Sequence, residues 1–86
     1  MVDQKRRQPS LEHVFGKILQ EIRRRSRLSQ EDLGFESGYH RTYISQLERG
    51  QKNPSLKTLF QVAKALGVKP SQIIQRIEDS TKIPPS

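Results

Sequence analysis

The sequence predicts an all-α fold of five short helices. Apolar residues recur at three- and four-residue intervals in five separate segments, which is the period of an amphipathic helix. A serine, a histidine or a proline stands at the start of each segment, where a helix can begin. The chain contains no apolar/polar alternation and no Asn-Gly pair of the kind that predicts strands and hairpins.

Helix 1 is predicted from its N-cap, Ser10, to about Arg25. Its apolar stripe consists of Leu11, Val14, Phe15, Ile18, Leu19 and Ile22. Gly16 interrupts this helix at a cost of about 1 kcal/mol relative to alanine. Residues 1–9 are predicted to be a flexible basic arm, because they are polar and carry the cluster Lys5, Arg6 and Arg7.

Helix 2 follows a second cap, Ser29, which forms a variant of the capping box with Asp32. It is predicted from Gln30 to about Ser37, with Leu33 and Phe35 buried.

Glycines stand before helix 3 and directly after it. Gly34 is small enough to let another helix come close, and Gly38 can turn the chain with a positive φ. Helix 3 is predicted from about Arg41 to Arg49, and Gly50 suits the left-handed residue that ends a helix.

Helices 4 and 5 are predicted from the same signals. Ser55 caps helix 4, Gly67 closes it, and its apolar side consists of Leu56, Leu59, Phe60, Val62, Ala63 and Leu66. Pro70 suits the first position of helix 5, whose buried stripe is expected to be Ile73, Ile74 and Ile77. Residues 79–86, which end in Pro84 and Pro85, are predicted to be a disordered tail, so the folded domain spans 10–78.

Charge separates the chain into three parts. The 86 residues carry a net charge of +7 and a pI near 10.3, which is typical of nucleic-acid binders but also fits ribosomal, membrane-surface or acidic-protein partners. Residues 1–28 and 51–86 are basic, whereas 29–50 hold four acidic and two basic side chains. Any specific recognition by the middle region therefore has to come from hydrogen bonds, with the flanks attracting phosphate.

The cysteine content and the hydropathy of the chain predict its cellular compartment. There is no cysteine and no apolar run near the roughly 18 residues that a membrane span needs. The first ten residues lack the apolar segment of a secretion signal. We expect a soluble cytoplasmic protein without a membrane partner.

Helix 3 has two chemically different sides. At about 100° per residue, Ile44 and Leu47 fall on one side, which suits a domain core. The opposite side carries Arg41, Thr42, Ser45 and Gln46. A guanidinium and an amide can each make bidentate contacts with base edges in the major groove of DNA. With helix 2, this arrangement predicts a helix-turn-helix DNA-binding domain.

The chain resembles the Cro/C1-type helix-turn-helix family of phage repressors and small bacterial regulators. Four segments carry the resemblance in order and at the family's spacing: LSQEDL, RTYISQLERG, NPSLKTL and AKALGV. They lie between about Phe15 and Ile74. The resemblance implies a compact five-helix domain like that of lambda repressor, with helix 3 in the major groove.

The resemblance also implies roles for individual residues. The base-facing residues would be Arg41, Thr42, Ser45 and Gln46. Contacts to the DNA backbone would come from Gln30, Tyr43, Arg49, Lys52 and Asn53. Arg23 and Glu48 would form a buried ion pair that ties helix 3 to helix 1. The chain departs from the family at Gly34, where alanine is frequent, and in the turn, where Tyr39 and His40 replace an aliphatic residue and a serine cap.

Two further groups of residues admit more than one interpretation. The basic run that begins at Arg23 continues with Arg24, Arg25 and Arg27. These three arginines could be solvated surface, or one of them could contact a DNA phosphate. Ile73, Ile74 and Ile77 could complete the core or seal a dimer. We favour a homodimer on an inverted-repeat operator of double-stranded DNA, with recognition helices about 34 Å apart.

No residue pattern indicates catalysis. His13 and His40 lie on different elements, and the sequence has neither a glycine-rich phosphate loop nor a G-x-S-x-G motif. We expect no enzyme activity, metal, cofactor or small-molecule ligand. The predicted function is a transcriptional regulator similar to restriction-modification controllers or phage-type repressors. The alternatives are an antitoxin that represses its own operon and a protein-interaction module that has lost DNA binding.

Overall fold

The computed structural model describes residues 10–81, which form five α-helices without a strand among them. The helices are α1 (Leu11–Arg25), α2 (Gln30–Ser37), α3 (Arg41–Glu48), α4 (Leu56–Leu66) and α5 (Pro70–Thr81). The predicted all-α class is confirmed. The arm predicted for residues 1–9 lies outside the described residues.

Side-chain caps begin four of the helices. Ser10 and Ser55 each accept a hydrogen bond from the backbone N–H three residues later, at 3.1 and 3.0 Å. Ser29 and Asp32 form both bonds of the capping box at the start of α2. His40 caps α3, because its Nδ1 accepts from the Thr42 N–H at 3.0 Å. Each cap satisfies a backbone donor that the helix itself leaves free.

A single core joins all five helices. Its buried apolar residues are Val14, Phe15, Ile18, Leu19, Leu33, Ile44, Leu47, Leu59, Val62, Ala63, Leu66 and Ile73. The α1 helix packs against α3 and α5, and α2 packs against α3 and α4. This arrangement holds α3 on two sides by its apolar residues.

Five predicted core residues are instead at the surface, among them Leu11 at the start of α1, which is 54% exposed. Phe35 is 85% exposed, because the inner side of α2 is occupied by Leu33 and Ser37, and a residue two positions after Leu33 points away from it. On α4, Leu56 is 73% and Phe60 56% exposed, since both lie beside the stripe that contacts the core. Ile74 of α5 is 48% exposed for the same reason. The prediction that these side chains are buried is therefore wrong.

Two helix ends differ from their predicted positions. The α3 helix ends at Glu48, with Arg49 as its C-cap, one residue earlier than predicted. The α5 helix continues through Thr81, three residues into the segment predicted as a disordered tail. Residues 82–86 lie outside the described part of the chain.

Gly16 and Gly34 are needed for close packing. A Cβ at Gly16 would collide with the carbonyl oxygens of Leu47 and Glu48, so this glycine lets the end of α3 cross α1. A Cβ at Gly34 would collide with the Tyr39 carbonyl oxygen in the α2–α3 turn and would lie 3.2 Å from the backbone nitrogen of Arg41, so the start of α3 approaches this glycine closely. Both positions thus fix the placement of α3.

Candidate nucleic-acid interface

The polar side of α3 lies at the surface. Ile44 and Leu47 are fully buried on the other side of the helix, as the periodicity predicts. Arg41 and Thr42 are exposed, and Ser45 and Gln46 are partly exposed. We call the surface formed by Arg41, Thr42, Ser45 and Gln46 the reading face.

A shallow groove joins the reading face to the start of α2. Its lining consists of Gln30, Arg41, Thr42, Ser45 and Arg49. The structure thus brings three of the four predicted base-facing residues together with two of the predicted backbone contacts. Gln46 lies on the same helix but does not line this groove. Lys52 and Asn53 are exposed in the α3–α4 loop.

A buried ion pair holds the end of α3 against α1. Arg23 Nε donates to Glu48 Oε2 at 2.6 Å, and Arg23 Nη2 donates to Glu48 Oε1 at 3.0 Å. Arg23 Nη1 also donates to the Leu28 carbonyl at 2.8 Å. One guanidinium therefore connects α1, the α1–α2 turn and α3. The two residues are in the contact that the resemblance implies.

Gln30 shares the Glu48 carboxylate. Its Nε2 donates to Glu48 Oε1 at 2.9 Å. An amide nitrogen carries two hydrogens, so one remains for another acceptor. The backbone N–H of Gln30 lies in the first turn of α2, where a helix leaves its N–H groups without an internal partner. Both groups suit a phosphate at the edge of the groove.

Arg49 and Ser45 are already in contact with each other. Arg49 Nη1 donates to Ser45 Oγ, and Arg49 Nη2 donates to Gln51 Oε1 at 3.2 Å. The guanidinium is thereby drawn onto the reading face. The Ser45 hydroxyl keeps its hydrogen free to donate.

Tyr43 has a packing role that the sequence analysis missed. Its ring lies 5.1 Å from the Tyr39 ring, and its hydroxyl is 3.4 Å from Thr58 Oγ1. Thr58 is buried and also contacts the hydroxyls of Tyr39 and Ser55, each at 3.0 Å. Three hydroxyls therefore meet at Thr58 and connect the turn and α3 to α4. The sequence signal for this cluster was weak, since nothing in the spacing pairs a turn tyrosine with a threonine of α4.

A second surface of the domain is apolar. Leu11, Leu56 and Ile74 are 54%, 73% and 48% exposed, and with the half-buried Ile77 they line one depression between α1, α4 and α5. We call these four residues the apolar face. Asn53 and Pro54 border it. Ile73, also predicted as a dimer residue, is fully buried in the core and does not reach this surface.

The capping box perturbs one carboxyl group. The Ser29 backbone N–H and then the Ser29 hydroxyl bind the carboxylate of Asp32, and both lower the pKa of Asp32 below its ordinary value of 3.8. A negative charge is thus kept at the start of α2.

Residues 10–81 contain neither a metal-binding cluster nor a membrane-spanning helix. The His, Asp and Glu side chains of this range form no group of three that could hold a metal ion. None of the five helices in this range combines the length and the apolar character that crossing a bilayer requires.

Comparison with known proteins identifies the family. The helix-turn-helix family model matches residues 19–73, more than half of the chain. The chain belongs to the helix-turn-helix family. The match begins within α1 and ends in α5, so it includes the reading face and the buried ion pair.

Its similar proteins include controllers of restriction-modification systems. Control protein C.BamHI of Bacillus amyloliquefaciens is 47% identical over 62 residues, which are 71% of this chain and 76% of that protein. The restriction-modification controller C.AhdI of Aeromonas hydrophila has a TM-score of 0.71 at 42% identity, covering 72% of this chain and 94% of that one. The controller C.Esp1396I, solved as a tetramer with its natural 35 base-pair operator, has a TM-score of 0.76 at 29% identity, covering 85% and 96%. The chain is a helix-turn-helix transcription regulator with a sequence-specific DNA-binding function.

Proposed function

We propose that this protein controls transcription as a homodimer that binds an inverted-repeat operator, with α3 of each copy in the major groove. The observation that carries the proposal is the construction of α3. Its apolar side is buried, its end is held by Arg23, and its polar side is exposed beside the first turn of α2. A rigid helix with this exposed chemistry can enter a groove without rearranging the domain.

The residues of the reading face would determine sequence. Arg41 suits guanine, whose O6 and N7 accept two hydrogen bonds, and Gln46 suits adenine. Thr42 and Ser45 offer hydroxyls, and Thr42 also offers a methyl group to thymine. Each good bidentate contact discriminates against the wrong base by about 1–3 kcal/mol.

The residues around the reading face would hold the DNA backbone. Gln30 and Arg49 line the same groove, and Lys52 and Asn53 follow in the exposed loop. Tyr43 would act mainly by packing, because its hydroxyl already contacts Thr58. Phosphate contacts place the helix in register and carry no sequence information of their own.

The apolar face would form the dimer interface. Exposed leucine and isoleucine side chains on three different helices make one contiguous patch, which water solvates poorly. A two-fold axis through this patch would pair it with itself in a second copy. Ile74 and Ile77 therefore keep the dimer role proposed for them, and Ile73 supports them from the core.

The similarity to controller proteins suggests which genes are regulated. We propose that the operator lies at the genes of a restriction-modification system and that the protein acts at the nucleoid in the cytoplasm. The proposed role is binding without catalysis.

Selection from random DNA duplexes followed by sequencing tests the proposal. We expect enrichment of an inverted repeat whose half-sites are one helical turn apart, and an affinity that falls steeply with salt. Arg41→Ala and Gln46→Ala should each relax the preference at particular base pairs. Lys52→Ala should weaken all sequences equally and reduce the salt slope by about one.

The matched control is Lys64→Ala, which removes the same charge from the far end of α4. Recovery of no preferred sequence would contradict the proposal. So would a uniform loss of affinity in Arg41→Ala and Gln46→Ala, because base-reading residues have to change discrimination.

A further inference from the structure

Arg27 has a backbone conformation that normally belongs to glycine. Its φ is +62°, the one positive value at a non-glycine residue in the range 10–81. The Leu28 N–H donates to the Arg23 carbonyl at 3.2 Å, and the Arg27 N–H donates to the Arg24 carbonyl at 3.0 Å. These two bonds define a Schellman motif at the end of α1, with Arg27 as its left-handed residue.

The ends of the next three helices show what the motif prefers. The positive-φ residues that follow α2, α3 and α4 are Gly38, Gly50 and Gly67. Glycine adopts this conformation without the clash between Cβ and a carbonyl oxygen that strains other residues. The left-handed position after α1 therefore carries a long side chain, whereas the corresponding positions after the next three helices are glycine.

Among residues 10–81, the Arg27 side chain makes no hydrogen bond and no ion pair. Arg27 is exposed, and no carboxylate in the described range lies within ion-pair distance of it. The turn is held instead by Arg23, whose Nη1 donates to the Leu28 carbonyl. A strained residue without a structural contact is a reason to look for a function.

The position of Arg27 supplies that function. It precedes Gln30 by three residues, which span at most about 10 Å, and Gln30 lines the groove with Arg41. The same Arg23 guanidinium binds the turn and Glu48 of α3, so the turn keeps a fixed place relative to the reading face. A duplex bound against the reading face would therefore pass close to the α1–α2 turn, where Arg27 stands.

We propose that Arg27 binds a DNA phosphate beside the reading face. This inference rests on the proposed function and adds a contact at the α1–α2 turn to those on α2, α3 and the following loop. A guanidinium can hold two oxygens of one phosphate, whereas an ammonium group acts as a single charge. The cost of the strained backbone at Arg27 is then offset by the contribution of its side chain to DNA affinity.

Arg27→Gly separates stability from binding. Removing the strain should raise the melting temperature by about 4 °C, whereas removing the phosphate contact should weaken operator binding about fivefold. The slope of log K against log salt should fall by about one. Arg27→Lys should recover part of the affinity without the gain in melting temperature. If Arg27 had only a structural role, Arg27→Gly would lower the melting temperature and the operator affinity together.

Lys69→Gln is the matched control, because it removes one positive charge at the exposed α4–α5 turn. If Arg27→Gly weakens binding no more than Lys69→Gln does, or if it lowers the melting temperature, the inference is overturned. Arg41→Ala separates this outcome from failure of the proposed function. Loss of discrimination in Arg41→Ala, with unchanged affinity in Arg27→Gly, would overturn the Arg27 contact alone.

Discussion

The reading face and the apolar face are both exposed, but only the reading face is held by hydrogen bonds within the domain. Around the reading face, Gln30, Ser45 and Arg49 are held by hydrogen bonds within the domain. On the apolar face, Leu56 and Ile74 have no comparable support and expose much of their surface to water. Burial of such surface stabilises by about 25 cal/mol per Å². The reading face is therefore fully formed in the monomer, whereas the proposed contact with a second copy would stabilise the apolar face by removing it from water.

Arg23→Met should produce the largest effect, because it removes the ion pair that holds the end of α3 against α1. The Glu48 carboxylate would stay buried without its counterion, which costs about 3–5 kcal/mol in the free energy of unfolding. Urea unfolding measures the loss. Operator affinity should fall as well, since the end of α3 is no longer held against α1.

Arg76→Met is the control for that experiment. Arg76 pairs with Glu21 at the surface, and both side chains are substantially exposed. An exposed pair contributes at most about 1 kcal/mol. Equal losses in the two variants would show that burial of the Arg23–Glu48 pair does not matter.

Ile74→Glu should disrupt the apolar face and leave the reading face intact. In the proposed dimer, two-fold symmetry would bring the same patch of both copies together, so the substitution would place like charges in one interface. Sedimentation should show a monomer that still folds, because Ile74 is half exposed. Loss of the second half-site contact should weaken operator binding about 100-fold.

Phe35→Ser removes an apolar side chain that is even more exposed but lies on α2, outside the apolar face. It should leave the dimer and the operator affinity unchanged. A dimer that survives Ile74→Glu and dissociates in Phe35→Ser would assign the interface to α2.

The two faces also differ in how far the sequence could predict them. The reading face followed from period and chemistry, because α3 has an unbroken apolar side and an unbroken polar side. Periodicity placed Leu56, Phe60 and Ile74 on apolar stripes, but the width of a buried stripe depends on which helix packs against it. Phe35 shows the same limit on a helix of eight residues. The need for glycine at position 16 depends on a crossing of α1 and α3 that no local pattern records.

Tyr39→Phe tests the connection between the two faces. The Tyr39 hydroxyl contacts Thr58 Oγ1 at 3.0 Å and so links the α2–α3 turn to α4, which carries part of the apolar face. Its loss should destabilise the domain by about 1 kcal/mol. Tyr43→Phe should cost less, since its hydroxyl is 3.4 Å from the same atom and makes a weaker bond. Urea unfolding of both variants checks the order, and the reverse order would show that Tyr43 provides the main link.

Asp32→Asn should have the smallest effect, which is present at neutral pH, fades at acid pH and is confined to the end of α2 that borders the reading face. The pKa of Asp32 is lowered in the folded protein, mainly by the Ser29 backbone N–H. Its contribution to stability is therefore complete above the unfolded value and is lost as the pH falls through the lower, folded value. Melting temperatures at pH 7, 5 and 3 should show wild type above Asp32→Asn at pH 7 and 5, with the difference shrinking at pH 3. A constant difference would show that the carboxylate charge does not contribute, and that the cap depends on hydrogen-bond geometry which asparagine cannot reproduce.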